Sequence, residues 1–127
     1  MGNWYVNLNI DSANGSAVYD GQNIPIFLNK TGHAVKITEA YIAGAISADS
    51  THYYMLYLRD NANNNIFTKD MYNVALATGA VSMGSVVTAY QVIEDDETVH
   101  LQLTKAGSGC TMTGMHIRLE GEFLRGG

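Results

Sequence analysis

Four histidines, one cysteine, twelve acids against seven bases, and eight tyrosines are the side chains through which this 127-residue chain could do chemistry. His33, His52, His100 and His116 fall in no His-Glu-x-x-His, His-x-His or Cys/His spacing. A metal centre would have to be assembled across distant segments, so solvent-facing strand histidines are the plainer expectation. Glu94, Asp95, Asp96 and Glu97 mass their carboxylates in one short stretch. Hard cations want several carboxylate oxygens, but no Asp-x-Asp-x-Asp-Gly pattern fixes a ring of ligands here, and a solvated turn is expected. Cys110 stands between Gly109 and Thr111 with no Cys-His or Gly-x-Ser-x-Gly context. It reads as a small residue at a strand start rather than an activated nucleophile. The stretch 104–109 contains glycines but lacks Gly-Lys-Ser/Thr and leads into no helix, so it is not a phosphate-binding loop. Paired carboxylates for glycoside hydrolysis come from distant strands and leave no local trace; nothing points to such a pair. No enzyme activity, metal or cofactor is expected.

The aromatic residues say more. Tyr53, Tyr54 and Tyr57 lie in one extended run, so Tyr53 and Tyr57 share a face while Tyr54 points the other way. Tyr5, Tyr41, Tyr72 and Tyr90 add to them, and tyrosine outnumbers phenylalanine eight to three. Tyrosine and tryptophan combine a large contact area with a polar tip, which suits interfaces and sugar-stacking surfaces. Trp4, Tyr5, Tyr41, Tyr53, Tyr54 and Tyr57 are therefore the candidate interface residues. A wet core edge is the plain alternative for each tyrosine.

Alternation with period two organises the segments that must position these residues. Trp4, Val6, Leu8 and Ile10 face one way, and Tyr5, Asn7 and Asn9 the other. Turns are expected at Asn14-Gly15 and Asp20-Gly21. Pro25 demotes the run ending near residue 28 to an edge or strand-start position. In 33–43, Val35 and Ile37 oppose Lys36 and Thr38; 52–59 is apolar on both faces and reads as a central strand or one facing a second subunit. Residues 60–65 form a turn cluster. Ile66 to Thr68 looks like a short strand, while Val74 to Ala77 could be strand or helical turn. The stretch 86–93 is rich in β-branched residues, and Asp95-Asp96 makes a turn. In 98–104, Val99, Leu101 and Leu103 point inward with His100 and Gln102 outward. After a turn at 107–109, Met115, Ile117, Leu119 and Phe123 oppose His116, Arg118 and Glu120. About eight strands without a long amphipathic helix argue for an all-β antiparallel sandwich or barrel.

Composition narrows the class further. With 46% apolar and 15% charged residues the chain is too apolar and too sparsely charged for disorder, and one cysteine allows no internal disulfide. Its apolar runs fall far short of the roughly 18–20 residues that cross a bilayer, so no membrane partner is expected. The first ten residues lack a basic region and an apolar stretch, and no secretory signal is expected. A net charge of −5, with the bases scattered singly, argues against nucleic acid as a partner. One domain over 1–127 is expected, with residues 1–10 an arm or edge strand contacting a neighbouring subunit.

From Val35 to Phe123 the chain resembles the small jelly-roll decoration, or cement, proteins of tailed-bacteriophage heads. The carriers are Val35-Lys36-Ile37-Thr38-Glu39-Ala40-Tyr41-Ile42 and the stretch 45–58, which holds Ala48-Asp49-Ser50-Thr51-His52-Tyr53. At the other end are Thr98-Val99-His100-Leu101-Gln102-Leu103-Thr104-Lys105, a Gly-Ser-Gly turn, and Gly114 through Phe123. The resemblance implies a jelly-roll β-sandwich. It also implies a homotrimer made in the bacterial host cytoplasm and bound to the major capsid protein at three-fold or quasi-three-fold positions, on the exterior of the virion. Related jelly rolls form trimeric fibre tips that recognise host receptors or carbohydrate, which is the alternative. Removing residues 1–10 is then expected to weaken assembly more than folding.

Overall fold

The computed structural model describes residues 2–9, 13–14, 23–107 and 110–124. They form two antiparallel sheets, a β-sandwich without α-helix among the described residues. The strands in chain order are β1 (Asn3–Asn9), β2 (Ala13–Asn14), β3 (Asn23–Leu28), β4 (Val35–Ser47), β5 (Tyr53–Arg59), β6 (Asn65–Asp70), β7 (Ala75–Ser82), β8 (Val92–Ile93), β9 (Thr98–Ala106) and β10 (Thr111–Phe123). The first sheet runs β1-β10-β4-β7, with β2 added to β10 and β8 to β4; the second runs β3-β9-β5-β6. No helix among the described residues is long and apolar enough to cross a membrane. The expected turns at Asn14-Gly15, Asp20-Gly21 and 107–109 lie wholly or partly outside the described residues.

Period-two patterning builds the core between the sheets. Tyr54, Leu56 and Leu58 of β5 and Val99, Leu101 and Leu103 of β9 are buried against Ile37, Ile42 and Ile46 of β4 and Ile117 and Leu119 of β10. β5 lies between β9 and β6, so its two apolar faces fit a central strand. Trp4 of β1 packs on Phe27 of β3 with ring centroids 5.1 Å apart, joining the sheets at one edge. β1 pairs with β10 residue by residue from Asn3 opposite Glu122 to Asn9 opposite His116. It is thus an edge strand of the domain's own sheet, and removing 1–10 strips Trp4 from the core.

Two slips of register separate the outcome from simple alternation. Between Glu39 opposite Glu120 and Ile37 opposite Gly121, β4 carries Thr38 as an extra residue. The buried set moves accordingly from Val35 and Ile37 to Ala40 and Ile42, as a bulge requires. Gly121 sits at this slip: a Cβ there would lie 2.0 Å from the Lys36 carbonyl oxygen. A second slip in β10 falls between Thr113 and His116, where Gly114 takes φ 61° and buried positions shift from Met112 to Met115.

Several local expectations resolve or change. Residues 75–77 are strand, the first part of β7. In the β-branched-rich stretch 86–93 only Val92–Ile93 joins a sheet, while Thr88–Tyr90 makes one 3-10 turn. Pro25 stands on edge strand β3, beside a register irregularity. His100 and His116 belong to different sheets. His100 is not solvent-facing: it is 8% exposed, flanked in register by Pro25 of β3 and Arg59 of β5.

Candidate functional site

The outer face of the first sheet gathers side chains from three strands into rows. Tyr5 of β1, Glu120 of β10 and Glu39 of β4 are register partners, and Asn7, Arg118 and Tyr41 form the next row. Period two turns these residues outward because Leu119 and Ala40 between them are buried and Val6, between Tyr5 and Asn7, packs on the core. Of these, Tyr5, Glu39, Arg118 and Glu120 line a groove of about 380 Å³ together with Asn3, Trp4, Thr38, Gly121 and Glu122.

Arg118 organises the groove. Its guanidinium lies 4.5 Å from the centre of the Tyr5 ring. Its Nε donates to Glu120 Oε2 at 2.6 Å and its Nη1 to Asn7 Oδ1 at 3.3 Å. The hydroxyl of Tyr41 donates to Glu39. That bond to a carboxylate, with some desolvation, raises the Tyr41 pKa above its ordinary 10, keeping the phenol neutral. Thr38 Oγ1 donates to the Glu120 carbonyl at 3.2 Å and fixes the bulge at the groove edge. Glu39 and Glu120 face each other across adjacent strands, an unfavourable like-charge placement that Arg118 and Tyr41 offset by binding one carboxylate each. Tyr5 keeps 63% of its surface exposed.

The six aromatic candidates separate into three places. Tyr5 lines this groove, Tyr41 reaches it only through its bond to Glu39, and Trp4 contributes to the lining with only 8% exposure. Tyr53 and Tyr57 stand on the outer face of the second sheet, where Tyr53 packs edge-on to Tyr72 at 5.5 Å and Tyr57 carries Arg59 at 4.9 Å. Tyr54 has no exposed surface and belongs to the core, which removes it as an interface side chain. Alternation already put it on the face of Leu56 and Leu58, so the signal for its burial was in the sequence. Arg118, Glu120, Glu39, Asn7 and Thr38 were missed as site residues. The polar face of β10 was readable, but its place between Tyr5 and Tyr41 requires the strand pairing.

Other reactive groups serve local structure. Asp49 Oδ1 accepts from the backbone N–H groups of Thr51 at 2.8 Å and His52 at 2.6 Å, and these bonds hold its carboxyl down to about 2. In the acid-rich turn, Asp95 accepts from Gly32 N, Asp96 pairs with Lys30, and Glu97 accepts from Glu94 N. Burial pushes the Cys110 thiol up to about 11, so it is protonated near neutrality. Among the described residues no three His, Cys, Asp or Glu side chains come together as metal ligands. No family model, curated protein or solved structure matches this chain.

Proposed function

We propose that the sandwich is a jelly roll and that the protein is a non-catalytic structural component of a virion. In this reading it is a homotrimer on the exterior of a bacteriophage capsid, bound to the major capsid protein at three-fold or quasi-three-fold positions and stabilising the mature shell. The observation that carries the reading is how strands from opposite ends of the chain find each other. Apart from the two-residue β2 and β8, the strands pair first with last and inward: β1 with β10, β3 with β9, β4 with β7, β5 with β6. A long antiparallel hairpin rolled into two sheets produces this order, a winding found in viral capsid and lectin domains. The segments that resemble the decoration proteins fall mainly on β4, β5, β9 and β10, the inner strands of the two sheets.

β7 supports an assembled state. Its sequence, Ala-Leu-Ala-Thr-Gly-Ala-Val-Ser, contains no charge and no proline, whereas the other sheet's edges carry Pro25 on β3 and Lys69 and Asp70 on β6. An uncharged edge strand invites pairing or coverage by another chain. A trimer that binds only the expanded lattice would then stabilise it by mass action.

Light scattering on the purified protein tests the first half, with an expected mass three times the 13.8 kDa of one chain. Mature heads stripped of the protein test the second: added trimer should sediment with them and raise their disruption temperature. A monomer at micromolar concentration overturns the reading. A trimer that ignores heads overturns the capsid role and favours the receptor-binding tip.

A further inference from the structure

We propose that the groove of Tyr5, Arg118, Glu120 and Glu39 binds a neutral oligosaccharide. The inference rests on this groove alone and does not depend on the capsid reading.

Charge selects the ligand class first. Three carboxylates, Glu39, Glu120 and Glu122, face a single guanidinium in the lining, so phosphate, sialic acid and uronic acid chains are repelled. A cationic side chain is disfavoured for another reason. Arg118 already stands over Tyr5 and neutralises Glu120, occupying the position that an incoming lysine or arginine would want. Lipid is excluded by the polar lining.

A neutral polyol suits what remains. The lining sets acceptors, the carboxylate oxygens of Glu39, Glu120 and Glu122, beside the remaining N–H groups of Arg118 and the side-chain amide of Asn3. Vicinal hydroxyl groups can donate to a carboxylate while accepting from a guanidinium. Tyr5 keeps 63% of its surface exposed, so the part of the ring that Arg118 does not cover can take the C–H face of a pyranose, while Arg118 holds the ring in place. Preorganisation of this kind reduces the ordering cost of binding. The volume of about 380 Å³ lies at the lower end of small-molecule sites, which sets the length recognised at one or two sugar units of a longer chain.

The test is a glycan array followed by titration calorimetry on the intact protein, with neutral hexose, N-acetylhexosamine and pentose oligomers beside sialylated and uronate-containing ones. Neutral oligomers should bind and acidic ones should not. Tyr5→Ala and Glu39→Gln should each weaken binding about tenfold or more, with the melting temperature showing that the fold is retained. Tyr57→Ala, on the opposite sheet, should leave affinity unchanged. Failure of every neutral oligomer at millimolar concentration overturns the proposal, as does binding that survives both groove variants. Selective binding of a lysine-rich peptide to the groove would overturn it in favour of a cationic partner.

Discussion

Asn29 ties separate segments of the fold together through its side-chain amide. It follows β3, is wholly buried, and connects that strand to the turn between β8 and β9. Its Nδ2 donates to the carbonyls of His33 at 2.9 Å, Ile93 at 3.0 Å and Glu94 at 3.1 Å. Its Oδ1 accepts from Thr31 N at 3.1 Å and Thr31 Oγ1 at 2.7 Å. Its backbone adds a reciprocal pair, Asn29 N to Glu97 O and Asp96 N to Asn29 O. Asn29→Leu keeps the volume and removes the side-chain bonds. An amide has only two hydrogens, so three carbonyls share about two full bonds, worth roughly 1 kcal/mol each. Leaving the Thr31 N–H and a buried carbonyl without those partners adds roughly 1–2 kcal/mol, for a total near 3–4 kcal/mol. That is a large part of the roughly 5–15 kcal/mol typical of a domain and corresponds to about a 10–15 °C fall in Tm. Urea and thermal unfolding read it directly. Asn29→Asp sharpens the test through pH. One oxygen keeps Thr31, but the other faces three carbonyls, so the folded pKa rises above the ordinary carboxyl value. The variant should then lie closest to wild type near pH 4 and fall behind as pH rises through the raised pKa. A loss below about 1 kcal/mol for Asn29→Leu, or a pH-independent deficit for Asn29→Asp, would refute the assignment of Asn29 as the tie between these segments.

The remaining predictions are independent of that one. Gly121→Ala forces a Cβ to within 2.0 Å of the Lys36 carbonyl oxygen and should cost about 3 kcal/mol or more in denaturant unfolding. Gly79→Ala, whose Cβ would meet only Leu76 at 3.7 Å, should be nearly neutral in the same assay. Desolvation, then the nearby Arg59 charge, lowers the His100 pKa below its ordinary 6.5, and among the described residues its Nε2 has no hydrogen-bond partner. The unfolded chain therefore takes up this proton before the folded one, and stability falls as pH drops below about 6.5. His100→Phe should flatten that part of a melting-temperature profile. Cys110 should resist a thiol reagent near pH 8 and become reactive in proportion to the unfolded fraction as urea is added.

Strand-level alternation was readable from the sequence wherever one phase persists. Leu101 and Leu103 of β9, and the tyrosines on either side of Tyr54, stand on the expected faces. What alternation could not supply was the change of phase at Thr38 and Gly114, because each slip depends on the partner strand and not on the residue itself. His100 was misread for a related reason. An outward position on a strand predicts exposure only when the flanking strands leave it open, and here Pro25 and Arg59 stand beside it. The groove was least legible of all. Tyr5 and Tyr41 were candidates, yet the arginine that joins them is distant from both in sequence and becomes their neighbour only when β10 enters between β1 and β4.

That insertion also sets the order in which the molecule can be made. β10 is synthesised after every strand it pairs with, yet it forms the interior of the first sheet, between β1 and β4. During translation β1 therefore waits, with Trp4 and Val6 lacking the strand that aligns them, until the last paired residues leave the ribosome. The same holds in the second sheet, where β9 arrives late to separate β3 from β5. Closure is a final, long-range event with a large loop-entropy cost, the topology that folds slowly and exposes unpaired edges on the way. A nascent chain stalled before Thr111 would hold most of the apolar residues and no finished first sheet, making it a substrate for chaperones rather than a smaller version of the domain.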